Sequence, residues 1–209
     1  MKFQCQRSGR CCSHPKILIT LTCQDLPQIV AAQGGVQGLL EAVAFAKIDQ
    51  DGQFSKKSDL QEQLVISPIN TSDGSVIPVL KKRQGGFECI FYDSTTHTCQ
   101  IYDKRPLTCQ SFPIRLATFS GRRILTWNTL GATFCPGIGK GPPLSAKVLK
   151  AIATKTQSAV DTTNEVIQHI NLEAEVKKNP CLPKKFLLRF YISRKRRTVL
   201  GKTSRFSAL

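Results

Sequence analysis

What this 209-residue sequence lacks narrows it quickly. It has no run of about 18 apolar residues, so no membrane-spanning helix is expected. Met1 to Arg10 is polar and lacks the apolar stretch of a secretory signal, so the expectation is a cytoplasmic chain in a reducing pool. There is no phosphate-binding Walker loop: Lys140 in CPGIGKG is followed by Gly141, not by Ser or Thr, so Gly137, Gly139 and Gly141 are not read as a nucleotide site. No GxSxG elbow and no Ser-His-Asp order suggests a hydrolase. The paired C-x₂-C knuckles of zinc ribbons are missing too, which argues against an ordinary zinc finger.

Cysteine is what the chain has in excess. There are nine. This density is above ordinary usage and below that of small disulfide scaffolds. An odd count in a reducing pool favours metal binding or redox chemistry over a disulfide framework. Seven fall in three clusters: Cys5, Cys11 and Cys12 in FQCQRSGRCC; Cys89, Cys99 and Cys109 in CIFYDSTTHTCQIYDKRPLTC; and Cys135 in CPGIGKG. Thiolate is a soft ligand that loses its proton on coordination, and it suits zinc or iron. Cys23 and Cys181 stand outside this pattern and read as small buried hydrophobes. His14 and His97 lie near cysteines, but surface positions are the simpler reading for both.

The formal net charge of +16 is uneven. Residues 176–209 carry eleven Lys or Arg and no acid. A solvated tail is the plain reading. Nucleic acid or an anionic surface is the functional one, supported by Phe186, Leu188, Phe190 and Tyr191 interleaved with Lys184, Lys185, Arg189 and Arg194.

Periodicity predicts short elements. Ile17 to Leu21 reads as a strand, and Thr22 with Asp25 as a helix start that tolerates Pro27 and stops at Gly34-Gly35. Val36 to Ile48 reads as a second helix with Leu39, Leu40, Val43 and Ala44 on one face. Residues 49–63 read as a loop. Leu64 to Ile66 and Val76 to Leu80 read as strands around the turn Ser72-Asp73-Gly74. Lys81 to Arg83 reads as a solvated edge, and Phe87 to Tyr92 as a strand. Pro113 to Phe119 and Ile124 to Leu130 read as a hairpin, with Trp127 packing on the core. Ser145 should cap a long amphipathic helix over 145–178. Pro106 should start the helix that carries Cys109. Arg105 would pair with Asp103 or Asp93, or offset the charge of a thiolate cluster, and Tyr102 would be a core ring.

FQCQRSGRCC, the ILITLTCQDL helix start, CIFYD, CQIYDKRPLTCQSFP and CPGIGKG together resemble the YkgJ-like cysteine-cluster family, described as zinc- or iron-chelating. The resemblance covers residues 3–141. Its specific part is Cys99-Gln100-Ile101-Tyr102 with Arg105-Pro106, Cys109 and Phe112-Pro113. Ser8 departs from the pattern, standing where many members have cysteine. The resemblance implies metal or iron–sulfur binding, with Cys5, Cys11, Cys12, Cys89, Cys99, Cys109 and Cys135 as candidate ligands.

The expected architecture is α+β. Residues 1–141 form a small cysteine-cluster domain, residues 142–179 an amphipathic helix packing on it, and residues 180–209 a basic, partly flexible tail. The expected cofactor is an iron–sulfur cluster, with zinc as the alternative. More than four cysteines on unequally spaced loops tip the choice to iron–sulfur. The expected role is metal binding with a redox function and a protein redox partner. The alternative is a structural zinc module that binds nucleic acid or protein through its tail. An enzyme acting on another macromolecule ranks last, because no cofactor loop is found.

Overall fold

The computed structural model describes residues 1–48, 66–120, 122–176 and 187–188. In chain order the elements are β1 (Lys2–Phe3), α1 (Arg10–Ser13), α2 (Leu26–Ala32), α3 (Val36–Ala42), β2 (Val43–Lys47), β3 (Ile69–Thr71), β4 (Gly74–Leu80), β5 (Tyr92–Asp93), β6 (Thr98–Cys99), α4 (Leu107–Ser111), β7 (Ile114–Phe119), β8 (Arg122–Trp127), α5 (Thr129–Phe134), β9 (Ile138–Pro143) and α6 (Ala146–Val176). The fold is α+β, as expected.

β4 is the strand on which the core is assembled. One edge pairs antiparallel with β2, from Val43 opposite Leu80 to Lys47 opposite Val76. The other edge is divided. β3 takes its first part, with Ile69 opposite Val76. Beyond that, the Ile17–Leu21 stretch lies along it, with Leu21 N–H donating to Pro78 O at 3.0 Å and Leu80 N–H to Ile19 O at 2.9 Å. The expected strand there is only an isolated bridge, Thr20 opposite Val79. Its side chains are nonetheless buried, which is what the apolar run signalled.

The helix expected over Val36 to Ile48 ends early. Val43 turns extended, and Val43 to Lys47 becomes β2. A β-branched residue and an aromatic fit a pleated surface, and pairing with β4 outweighs the weak helical period. Phe87 to Tyr92 is likewise not a strand. Its ladder pairing is a single bridge, Lys82 opposite Cys89, before β5 begins, although its backbone also bonds to Cys12, Lys81 and Gln100. Lys82 is no solvated edge: its Nζ donates to the carbonyls of His14 and Pro15 at 2.9 and 3.0 Å. The β7–β8 hairpin forms as the pattern suggested, although Thr129 and Leu130 belong to α5. The loop expected at 49–63 and the strand residues Leu64 and Val65 lie outside the described residues.

α6 begins after Ser145, whose hydroxyl accepts from Val148 N–H at 3.3 Å. Ala159, Thr163, Ile167 and Ile170 recur at helical spacing and are buried, and the two isoleucines enter the same core as Leu21, Leu26, Ile29, Leu39 and Phe91. β9 runs across residue 141 and pairs with β1. Of the tail, only Leu187 and Leu188 are described, and Leu187 is buried in that core. Among the described residues no helix is long and apolar enough to cross a membrane.

Asp25 ties the N-terminal part to the cysteine segment. It is 2% exposed. One carboxylate oxygen accepts from the N–H and hydroxyl of Thr22, both at 2.7 Å, and the other accepts from Leu107 N–H at 2.8 Å. Leu107 opens α4, the helix that carries Cys109. Next to it, Thr108 donates its hydroxyl to Thr20 O at 2.8 Å. Burial raises the Asp25 carboxyl above its ordinary 3.8, against the opposing pull of these hydrogen bonds.

Asp25→Ala strands two buried backbone N–H groups and should cost roughly 3 kcal/mol in urea unfolding. The raised carboxyl means that the folded state holds its proton more tightly. The stability of the wild type relative to Asp25→Asn should therefore rise as pH is lowered from 7 towards 3.8 and level off below. A flat difference over that range would contradict the placement.

Candidate functional site

Five separate segments deliver seven thiols to one cavity of about 300 Å³. The first comes through a tight turn. Gly9 sits at φ 69° and opens α1, and a Cβ there would overlap the Tyr92 ring, so this position requires glycine on two counts. Its carbonyl accepts from Cys12 N–H at 2.8 Å and Ser13 N–H at 3.1 Å. The resulting single turn places Cys11 and Cys12 with their sulfurs 4.0 Å apart, so the two do not diverge as adjacent side chains in an extended chain would.

Cys89 follows from a backbone splice, its N–H donating to Cys12 O at 2.7 Å. Cys99 lies on β6, opposite Tyr92 of β5. Pro106 precedes α4, as the sequence suggested, and Cys109 sits in its middle. Cys135 closes α5, its N–H bonded to Gly131 O at 2.9 Å. Gln4 N–H donates to Gly137 O at 3.1 Å, and this β1–β9 junction carries exposed Cys5 towards Cys135. No disulfide joins any of the eight described cysteines. Cys23 is 3% exposed in the core, away from the cavity lining. Cys181 lies outside the described residues.

The thiols influence one another. Burial pushes Cys109 well above its ordinary value of 9.0, and the charges of Cys89, Cys11 and Cys99 add to the shift while Arg105 opposes it. Cys89 is pushed up to about 11, by burial first and then, against a backbone hydrogen bond, by Cys99 and Cys11. Burial also raises Cys99 and Cys135. Cys11 is the exception. A hydrogen bond with the Cys12 sulfur holds it down at about 7, and Arg105 helps. Cys12 is raised in turn by that hydrogen bond. Among these thiols Cys11 is the one whose surroundings favour the anion.

The rim is cationic. Arg7, Arg10 and Arg105 line the cavity, and among the described residues no Asp or Glu does. The Arg7 and Arg105 guanidiniums lie 4.2 and 3.7 Å from the Tyr102 ring centroid. Tyr102 is thus half-buried under two cations and is not a core ring. Arg105 does not pair with Asp103 or Asp93; its Nε donates to Tyr102 O at 2.7 Å. No sequence signal marks Arg7. Its left-handed backbone, φ 50°, is a feature that only structure exposes. His97 is exposed on the rim, with Nδ1 3.1 Å from the Tyr92 hydroxyl. His14 is half-buried, stacked on Phe134 at 4.4 Å, and its Nδ1 accepts from Lys16 N–H.

The donor set fits a soft metal: among the described residues the lining has seven thiols and no carboxylate. Among the described residues, no three Cys, His, Asp or Glu side chains already stand together as a ready-made cage for an ion. Closing one requires thiol rotation or a centre larger than one ion.

No curated protein and no solved structure matches the chain. A family model does match, over residues 4–128, described as "Putative zinc- or iron-chelating domain" and named for its CxxCxxCC pattern. Six of the seven cavity cysteines lie within the match, and Cys135 lies just beyond it. Since the match spans more than half of the sequence, the chain belongs to this zinc- or iron-chelating cysteine-cluster family.

Proposed function

We propose that this protein holds an iron–sulfur cluster and works as a redox or electron-transfer protein in the cytoplasm, with a protein redox partner. Cys11, Cys89, Cys99 and Cys109 are its ligands. One observation carries the reading: these four thiols line a single cavity, yet no three described donors sit at single-ion spacing. Zinc bound to four sulfurs at ~2.3 Å holds them only about 3.8 Å apart. A four-iron cluster binds each thiolate on a different metal and accepts wider spacing. Cys135 and Cys5 form an outer group, and Cys12, which also feels Cys109 and Cys89, is the alternative ligand on its turn. Cys12 hydrogen-bonds Cys11, and Cys135 feels Cys11 and Cys5. The cluster supplies one-electron chemistry when bound. The chain supplies thiolates, burial and a cationic rim that favours the anionic centre.

A second reading rests on the eleven Lys or Arg, with no acid, in residues 176–209. In it the thiols hold structural zinc, and the tail binds nucleic acid.

Protein purified without oxygen should be brown, contain iron and acid-labile sulfide, and bleach with dithionite. Cys99→Ser should abolish the colour, and Cys23→Ser should keep it. A colourless protein with about one zinc per chain would overturn the cluster. Truncation after Leu188, which keeps the buried Leu187, separates the second reading. On the cluster reading it leaves the iron content unchanged. On the zinc reading it removes a salt-sensitive RNA or DNA affinity, and the salt slope falls by about 0.7–0.9 for each phosphate that the tail had neutralised.

A further inference from the structure

The long helix α6 sorts its charge by position. Residues 146–160 carry Lys147, Lys150 and Lys155 and no acid. Residues 161–176 carry Asp161, Glu165, Glu173 and Glu175 and no Lys or Arg. This order opposes the helix's own electrostatics. The first turn has no acid and the last turn has no base, the reverse of what the macrodipole favours. Within α6 no lysine stands three or four residues from a carboxylate, so the usual intrahelical ion pairs are missing. Asp161 and Glu165 are even like charges four residues apart, which costs helix stability. A helix that forgoes these local gains takes its charge order from something outside itself.

The solvent face repeats the order. Lys147, Ala151, Thr154, Ser158, Glu165 and Leu172 follow at steps of three, four or seven along one face, and all are exposed. Val148 and Leu172 leave large apolar side chains in water near opposite ends of α6, at 43% and 53% exposure. A twofold axis crossing the helix at Val160 sets Lys147 opposite Glu173, Val148 opposite Leu172 and Lys155 opposite Glu165. Each pair is equidistant from Val160 in the sequence. One antiparallel register therefore matches both charge pairs and both exposed apolar residues, and the symmetry repeats every contact. It also separates the basic ends of two chains. The chain leaves α6 at Val176, ahead of the eleven Lys or Arg of its tail. Two such helix ends stand roughly 48 Å apart, several Debye lengths, whereas parallel pairing sets them side by side.

We propose that the exposed face of α6 is a dimerisation surface and that its occupant is a second copy of this chain, packed antiparallel. The seam between the two helices is mostly polar, so the association is weak and charge selects its register. None of this depends on the metal in the cysteine cavity.

The test is sedimentation equilibrium of the full chain as purified, with metal content and far-ultraviolet dichroism measured alongside. The 23.1 kDa chain should dimerise reversibly. Two variants reverse one half of the helix each: Lys147→Glu/Lys155→Glu and Glu165→Lys/Glu173→Lys. Both bring the helix ends closer to the macrodipole's preference, although the first also gives up the Lys155 contact to Gln110. Each alone sets like charges opposite one another and should dimerise at least tenfold more weakly than the wild type. An equimolar mixture should recover the wild-type affinity, because each reversed half then meets the opposite sign. Leu172→Ser, which changes no charge, should weaken the dimer several-fold. A wild-type chain that stays monomeric up to about 1 mM would overturn the proposal. So would a dimer that both reversals leave intact, since another face would then hold it, or a mixture no tighter than either variant alone.

Discussion

Thiolates in one cavity repel one another, and the rest of the structure answers that constraint. Burial alone keeps Cys89, Cys99, Cys109 and Cys135 protonated, and each ionised neighbour raises the cost of ionising the next. Only Cys11, with a hydrogen bond to Cys12 and Arg105 nearby, is eased towards the anion. A cation at the centre reverses this balance. The three arginines at the rim, with no carboxylate among the described lining residues, act in the same direction. A site of this kind is reluctant to ionise empty and well disposed once a metal is present.

Holding such a site requires the backbone to span long sequence distances, and the fold does so with a few buried polar ties. Asp25 joins α2 to α4 across 82 residues. Thr20 and Thr108 repeat the link one step further on. The Cys89 amide meets the Cys12 carbonyl, and β1 meets β9, so the first and last thiols come to the same place. Thr163 on α6 accepts from Cys23 N–H at 3.1 Å and fixes the long helix to the start of the α2 segment. Each tie satisfies a buried donor, so losing one costs more than the bond itself.

The site is more legible in the sequence than the scaffold is. Cysteine spacing and Arg105-Pro106 are local signals, and local signals can be read. The hairpin around Ser120 and the cap at Ser145 belong with them. Val43 falls in a helix on periodicity because VAFAK is compatible with either period, and only β4, some 30 residues on, decides between them. The apolar run Ile17 to Leu21 announces its burial, but its partner edge depends on where β3 stops. Tyr102 reads as a core ring because nothing in the sequence says that Arg7 will reach it. The Asp25–Leu107 bond is equally invisible, since an acid three residues after a threonine looks like an ordinary helix start.

The most direct test of cysteine ligation around one centre is X-ray absorption at the edge of whichever metal the purified protein carries. The predicted result is a first shell of four sulfurs at about 2.3 Å, reduced in the Cys109→Ser protein. For iron, a second shell of neighbouring iron atoms would identify the cluster. A first shell of nitrogen and oxygen, or a spectrum unchanged by Cys109→Ser, would contradict the claim that these dispersed cysteines fold around one metal centre.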